Sequence, residues 1–102
     1  SGAPSPPSEL KQIEETAELI TISRKGVSGN DIEYTIYADK KKVDTTKDTK
    51  CYLKKSDLPK NKNTVSITVT AKNKSKESVH SSQLPVSINN QGGGGDEEED
   101  EE

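Results

Sequence analysis

From Thr64 to Ala71 the chain reads Thr-Val-Ser-Ile-Thr-Val-Thr-Ala, with apolar and hydroxyl residues alternating without a break. Successive side chains of a strand point to opposite faces. Val65, Ile67, Val69 and Ala71 therefore share one dry face, and Ser66, Thr68 and Thr70 share the other. β-Branched residues fill nearly every position, as a half-buried pleated surface favours. A ribbon of this kind is stable only when another layer covers its dry face, so the remaining segments are read for what supplies that layer.

Several segments fit. Ile20 to Ser23 reads as a strand with Ile20 and Ile22 inward. Lys25 to Asn30 is a loop punctuated by two glycines. Asp31 to Ala38 alternates again, with Ile32, Tyr34, Ile36 and Ala38 inward and Tyr37 outward, facing solvent. Asp39 to Lys42 turns the chain, and Lys42-Val43-Asp44 is a short polar edge strand whose lysines discourage edge-to-edge pairing. Lys50 to Lys54 places Cys51 and Leu53 on one face and Tyr52 on the other. Lys72 to Ser82 reads as a polar, flexible connection. In Leu84 to Ile88, Pro85 cannot donate to a ladder, which puts this strand at an edge.

Ser8 to Ile20 carries two readings. Leu10, Ile13, Ala17 and Ile20 fit one face of a helix that Ser8 would cap. The β-branched alternation beginning at Leu19 favours two short strands instead. The count of six or seven short strands with turn signals between them predicts an all-β fold, an antiparallel two-sheet sandwich of about seven strands.

A chain of 102 residues holds one domain plus tails. Its hydrophobic content is only 25% with 32% charged residues, a balance that leans toward disorder when averaged over the whole chain. The average misleads, because of 26 hydrophobic residues all but Ala3 lie between Leu10 and Ile88. The domain parse is an extended proline-rich leader at 1–8 that cannot pair in a sheet, a sandwich at 9–90, and a glycine-rich linker with a disordered acidic tail at 91–102. With no Phe, Trp or Met, the core is thin, and stability is expected at the low end of the ~5–15 kcal/mol of native domains.

Net charge is −3, yet Asp96 to Glu102 is acidic throughout, which leaves residues 1–95 with a net of +4. The single Cys51 excludes an internal disulfide and a cysteine-rich metal site. It fits a reducing compartment. No signal peptide and no apolar run long enough to cross a membrane is present. These features lean toward an intracellular (cytoplasmic or nuclear) location, with an extracellular surface protein as the alternative.

The layout resembles a fibronectin type III domain. The residues that carry the resemblance are Pro7 and Leu10 at the opening, the strand Leu19 to Ser23, the tyrosine-centred Tyr34-Thr35-Ile36-Tyr37, and Leu58-Pro59 ahead of Val65 to Asn73. Ser81-Ser82-Gln83-Leu84-Pro85-Val86 matches the serine-rich approach to the last strand. Two positions depart from the pattern. Arg24 or Lys25 stands where the family usually has a core tryptophan, and Val65 stands where it usually has a corner tyrosine. An immunoglobulin-like sandwich of another family is the nearest rival.

The resemblance implies a non-enzymatic protein–protein interaction module, or scaffold, within a larger protein. It would engage another protein through a sheet face, an edge or loops. On that expectation Tyr37 is the anchor, Lys40, Lys41 and Lys42 favour an acidic partner patch, and Tyr52 is a second exposed aromatic contact. The alternative is a structural spacer with no binding surface of its own.

Catalytic, metal and cofactor roles are not expected. His80 is the only histidine, and no acid in the sequence is placed behind it as a triad would need. Cys51 keeps phase with Leu53, which favours a buried thiol over a reactive one. The lysines are dispersed, lack interleaved aromatics and come with a single arginine, so nucleic acid is not the expected partner. Asn73-Lys74-Ser75 has the form of a glycosylation sequon. No membrane attachment is expected, and the expected state is a monomer.

Overall fold

The computed structural model describes residues 2–88; the glycine-rich linker and acidic run expected at 91–102 lie outside them. Seven strands follow one another: β1 (Ser8–Glu15), β2 (Leu19–Lys25), β3 (Glu33–Ala38), β4 (Lys41–Thr46), β5 (Lys50–Lys54), β6 (Thr64–Lys72) and β7 (Leu84–Ser87). They form two antiparallel sheets, one in the order β1-β2-β5 and the other in the order β4-β3-β6-β7. A single 3-10 turn, Lys55–Asp57, follows β5. The fold is the expected all-β, immunoglobulin-like two-sheet sandwich.

The ribbon Thr64–Lys72 is an inner strand of the larger sheet, paired with β3 from Ile67 to Lys72 and with β7 from Thr64 to Ile67. Its dry face is fully covered, with Val65, Ile67, Val69 and Ala71 each at most 1% exposed. Across the sandwich lie Ile20 and Ile22 of β2 and Cys51 and Leu53 of β5, in the same buried cluster. The inward residues expected on β3 are also interior, Tyr34, Ile36 and Ala38 among them. Ile32 sits just before the strand and packs against this cluster partly buried.

Ser8 to Ile20 contains no helix. It is the β1–β2 hairpin, turned by Thr16, whose Oγ1 accepts the N–H groups of Glu18 and Leu19 at 3.2 and 3.0 Å. Of the apolar set that fitted a helical face, Ile20 is core and Leu10 packs partly buried against it, while Ile13 is 46% exposed and Ala17 lies in the turn. Ser8, assigned to the leader from sequence, already pairs with Lys25 and opens the strand.

The connection from Lys72 to Ser82, expected to be flexible, is fastened to the edge of β6 that β7 leaves free. Ser78 N–H donates to Ala71 O at 2.7 Å, and Ser81 N–H donates to Val69 O at 3.0 Å. In return Ala71 N–H donates to Ser78 Oγ and Val69 N–H to Ser81 Oγ, at 2.9 and 3.0 Å. Two serine side chains thus stand in for a strand backbone. This strap also explains why the hydroxyl face of β6 is dry, with Thr68 and Thr70 both 1% exposed. Among the described residues no helix is long and apolar enough to cross a membrane.

Candidate functional site

The outer face of the four-stranded sheet centres on Tyr37. In register, Tyr37 pairs with Lys42 on β4 and with Thr68 on β6. Tyr37 points away from the core, as alternation requires, but it is half-buried rather than free in solvent. Its hydroxyl donates to Glu77 Oε2 at 2.6 Å, and Thr70 Oγ1 donates to the same oxygen at 2.5 Å. The Tyr37 ring lies 4.4 Å from that of His80, tilted by 48°, at the short limit of favourable aromatic pairing. His80 Nδ1 is 2.7 Å from Thr68 Oγ1.

The two hydroxyl donors hold the Glu77 carboxyl below its usual range, Thr70 first and Tyr37 second. The same bond, with Glu77 as acceptor, raises the Tyr37 phenol above its ordinary value. Tyr37 and the strap are therefore one polar unit.

At the end of this face, Asp39 and Lys40 form a two-residue hairpin loop with φ of 50° and 72°. Positive φ at both central positions matches the twist of the flanking strands, usually with glycine at the second. Here Asp39 compensates through its side chain. Its Oδ1 accepts Ser66 N–H at 2.9 Å and its Oδ2 accepts Lys62 Nζ. The Lys62 bond, followed by the Ser66 bond, draws the Asp39 carboxyl below its ordinary range.

Lys40 is the second loop residue, while Lys41 and Lys42 already belong to β4 rather than to the turn. Lys55, Lys62 and Lys74 pair with Glu15, Asp39 and Asp31. Lys40, Lys41 and Lys42 have no ion-pair partner among the described residues and are exposed. Tyr52 is 54% exposed, but it belongs to β5 of the three-stranded sheet. The candidate contacts thus divide. Tyr37 and Lys42 share a face, Lys40 and Lys41 cap and edge it, and Tyr52 lies on the other sheet.

The geometry gives no outlet for catalysis at the Thr68–His80 pair, since a hydroxyl on a residue 1% exposed cannot meet a substrate. Cys51 is 1% exposed, and burial pushes its thiol up to about 11, the opposite of activation. Asn73 of the sequon makes a local turn, its Oδ1 accepting the N–H groups of Ser75 and Lys76 at 2.8 Å each. Sequence reasoning missed Thr68, Thr70, Glu77 and His80 as a unit. The one available signal was that the hydroxyl face of β6 alternates as regularly as its dry face.

No family model and no curated protein matches the chain. Several solved structures are similar in fold, among them these two. One is the spore cortex lytic enzyme SleM of Clostridium perfringens, with a TM-score of 0.70 at 18% identity, covering 82% of this chain and 28% of that one. The other is titin kinase with its flanking domains, with a TM-score of 0.62 at 15% identity, covering 84% of this chain and 17% of that one. The chain spans less than a third of either of these two structures. At these identities the likeness is one of fold.

Proposed function

We propose that this chain is a fibronectin type III-like interaction module of a larger protein, without enzymatic activity, that engages an acidic patch on a partner protein. The observation that carries this reading is the run Lys40-Lys41-Lys42. These three consecutive cations are exposed and have no ion-pair partner among the described residues. The unpaired edge of β4 and the neighbouring Tyr37 extend the same surface. Strand order supports the family reading, since β4 pairs with β3 rather than joining the sheet of β5 as the fourth strand of a constant-type immunoglobulin domain does.

The test is a quantitative pull-down from the source cell, comparing the wild-type chain with a Lys40→Glu/Lys41→Glu/Lys42→Glu variant that keeps its melting transition. A protein retained by the wild type and lost by the variant, and released by salt as an exposed electrostatic contact should be, supports the module. Identical retention profiles favour the structural spacer.

A further inference from the structure

β4 and β5 are the end strands of their two sheets on the same side of the sandwich, and a notch of about 120 Å³ opens between them. Its apolar lining is Val43, Leu53 and Leu58. Asp44 on β4, Asp57 at the end of the 3-10 turn, and the exposed Tyr52 complete the wall. That volume is a little under the ~150 Å³ that accepts one benzene ring in an apolar cavity. One side chain fits.

The chemistry of the wall narrows which one. Asp44 is in register with core-facing Ile36, so it points to the inner side of its sheet yet remains exposed. Neither Asp44 nor Asp57 has a hydrogen-bond or ion-pair partner among the described residues. Lys54 is the one cation on the same wall, so the mouth carries a net negative charge. An inward charge on an edge strand is a common guard against strand pairing. A second carboxylate from a different element, an idle aromatic ring and an apolar floor make this more than a guard.

We infer that the notch receives a single lysine or arginine side chain from the partner protein. The aliphatic stem would lie on Val43, Leu53 and Leu58, and the cationic head would reach Asp44 and Asp57 with the Tyr52 ring beside it. The free edge of β4 runs alongside. Its charges guard it against an uncharged strand, whereas a strand that brings a cation to Asp44 can pair with it through the backbone. The inference rests on the interaction-module reading but uses a different surface from Lys40 to Lys42.

The experiment is amide NMR of the full chain titrated with acetyl-lysine methylamide, up to about 50 mM, where a dissociation constant of about 1–10 mM is expected for one side chain. Saturable shifts at Val43, Asp44, Tyr52, Leu53 and Leu58 are expected. The uncharged acetyl-norleucine methylamide, which keeps the four-carbon stem and lacks the ammonium, should bind at least tenfold more weakly. An Asp44→Asn/Asp57→Asn variant with an otherwise unchanged spectrum should lose lysine binding at least tenfold, and each single change should lie between. A five-residue acetylated peptide with a central lysine should bind several-fold tighter than the single residue. The inference is overturned by absent saturation, by norleucine binding as well as lysine, or by an unaffected double variant. A peptide that gains nothing overturns the protein-partner assignment. Loss of the notch with retention of the charge-sensitive partner removes this inference and leaves the module reading in place.

Discussion

The guanidinium of Arg24 sits over the ring of Tyr34, its carbon 3.8 Å from the ring centroid. Arg24 is 6% exposed, and Nε, Nη1 and Nη2 have no hydrogen-bond partner among the described residues. Burial pulls its pKa down from the usual guanidinium value. The arginine therefore fills, as a stacked cation, an interior place on β2 beside Tyr34. An unpaired buried cation is a poor filler energetically.

Replacing Arg24 with methionine removes that desolvation and keeps a long unbranched side chain, at the loss of a cation–π contact of about 0.5–2 kcal/mol. A net gain of about 1–3 kcal/mol is expected. Thermal melting should rise by roughly 4–8 °C per kcal/mol for a domain of this size. A lower melting temperature would show that the guanidinium stabilises its site.

Ser78→Ala and Ser81→Ala each strand a β6 amide, that of Ala71 or of Val69. Leaving a buried N–H unsatisfied costs about 1–3 kcal/mol. Urea midpoints should fall for both, while Ser82→Ala, at an exposed site, should stay within about 0.5 kcal/mol of wild type. Equal effects at all three positions would remove the strap from the stability account.

The strap separates what was legible in the sequence from what was not. The dry faces of β3, β5 and β6 follow from period-two alternation, and the edge positions of β4 and β7 follow from Lys42 and Pro85. The hydroxyl-to-amide bonds of Ser78 and Ser81 have no period, so that segment reads as polar and loose. Arg24 is inward by strand phase with Ile20 and Ile22, yet its charge argues for the surface. Only the Tyr34 ring opposite it explains the outcome. The notch joins Asp44 and Asp57 from separate elements, a juxtaposition that only the topology makes.

Acid should weaken the fold through two carboxylates. Asp39 and Glu77 both have folded-state values below their unfolded ones. Their stabilisation is therefore complete above the unfolded values of about 4 and is lost as pH falls through the lower folded values. Tyr37 is shifted the other way, so its contribution holds below about pH 10 and is lost as pH rises through its higher folded value. Urea midpoints measured across pH should show both limbs. Asp39→Asn and Glu77→Gln should each flatten the acid limb, and an unchanged acid limb in both would contradict the assigned bonds.

Cys51 should resist alkylation. With the thiol buried and raised to about 11, iodoacetamide at neutral pH should modify the folded chain only as fast as it opens. The urea-unfolded chain should react at the rate of a free thiol. Comparable rates in both states would contradict a closed core between the two sheets.

β6 is held from both sides, by the opposite sheet and by the serine strap. Amide hydrogen exchange read residue by residue tests this most directly. Val65, Ile67, Val69 and Ala71 should exchange only through global opening, with Val69 and Ala71 as slow as the two residues paired to β7. Exchange at Val69 and Ala71 as fast as at the exposed Gly26–Gly29 loop would contradict it.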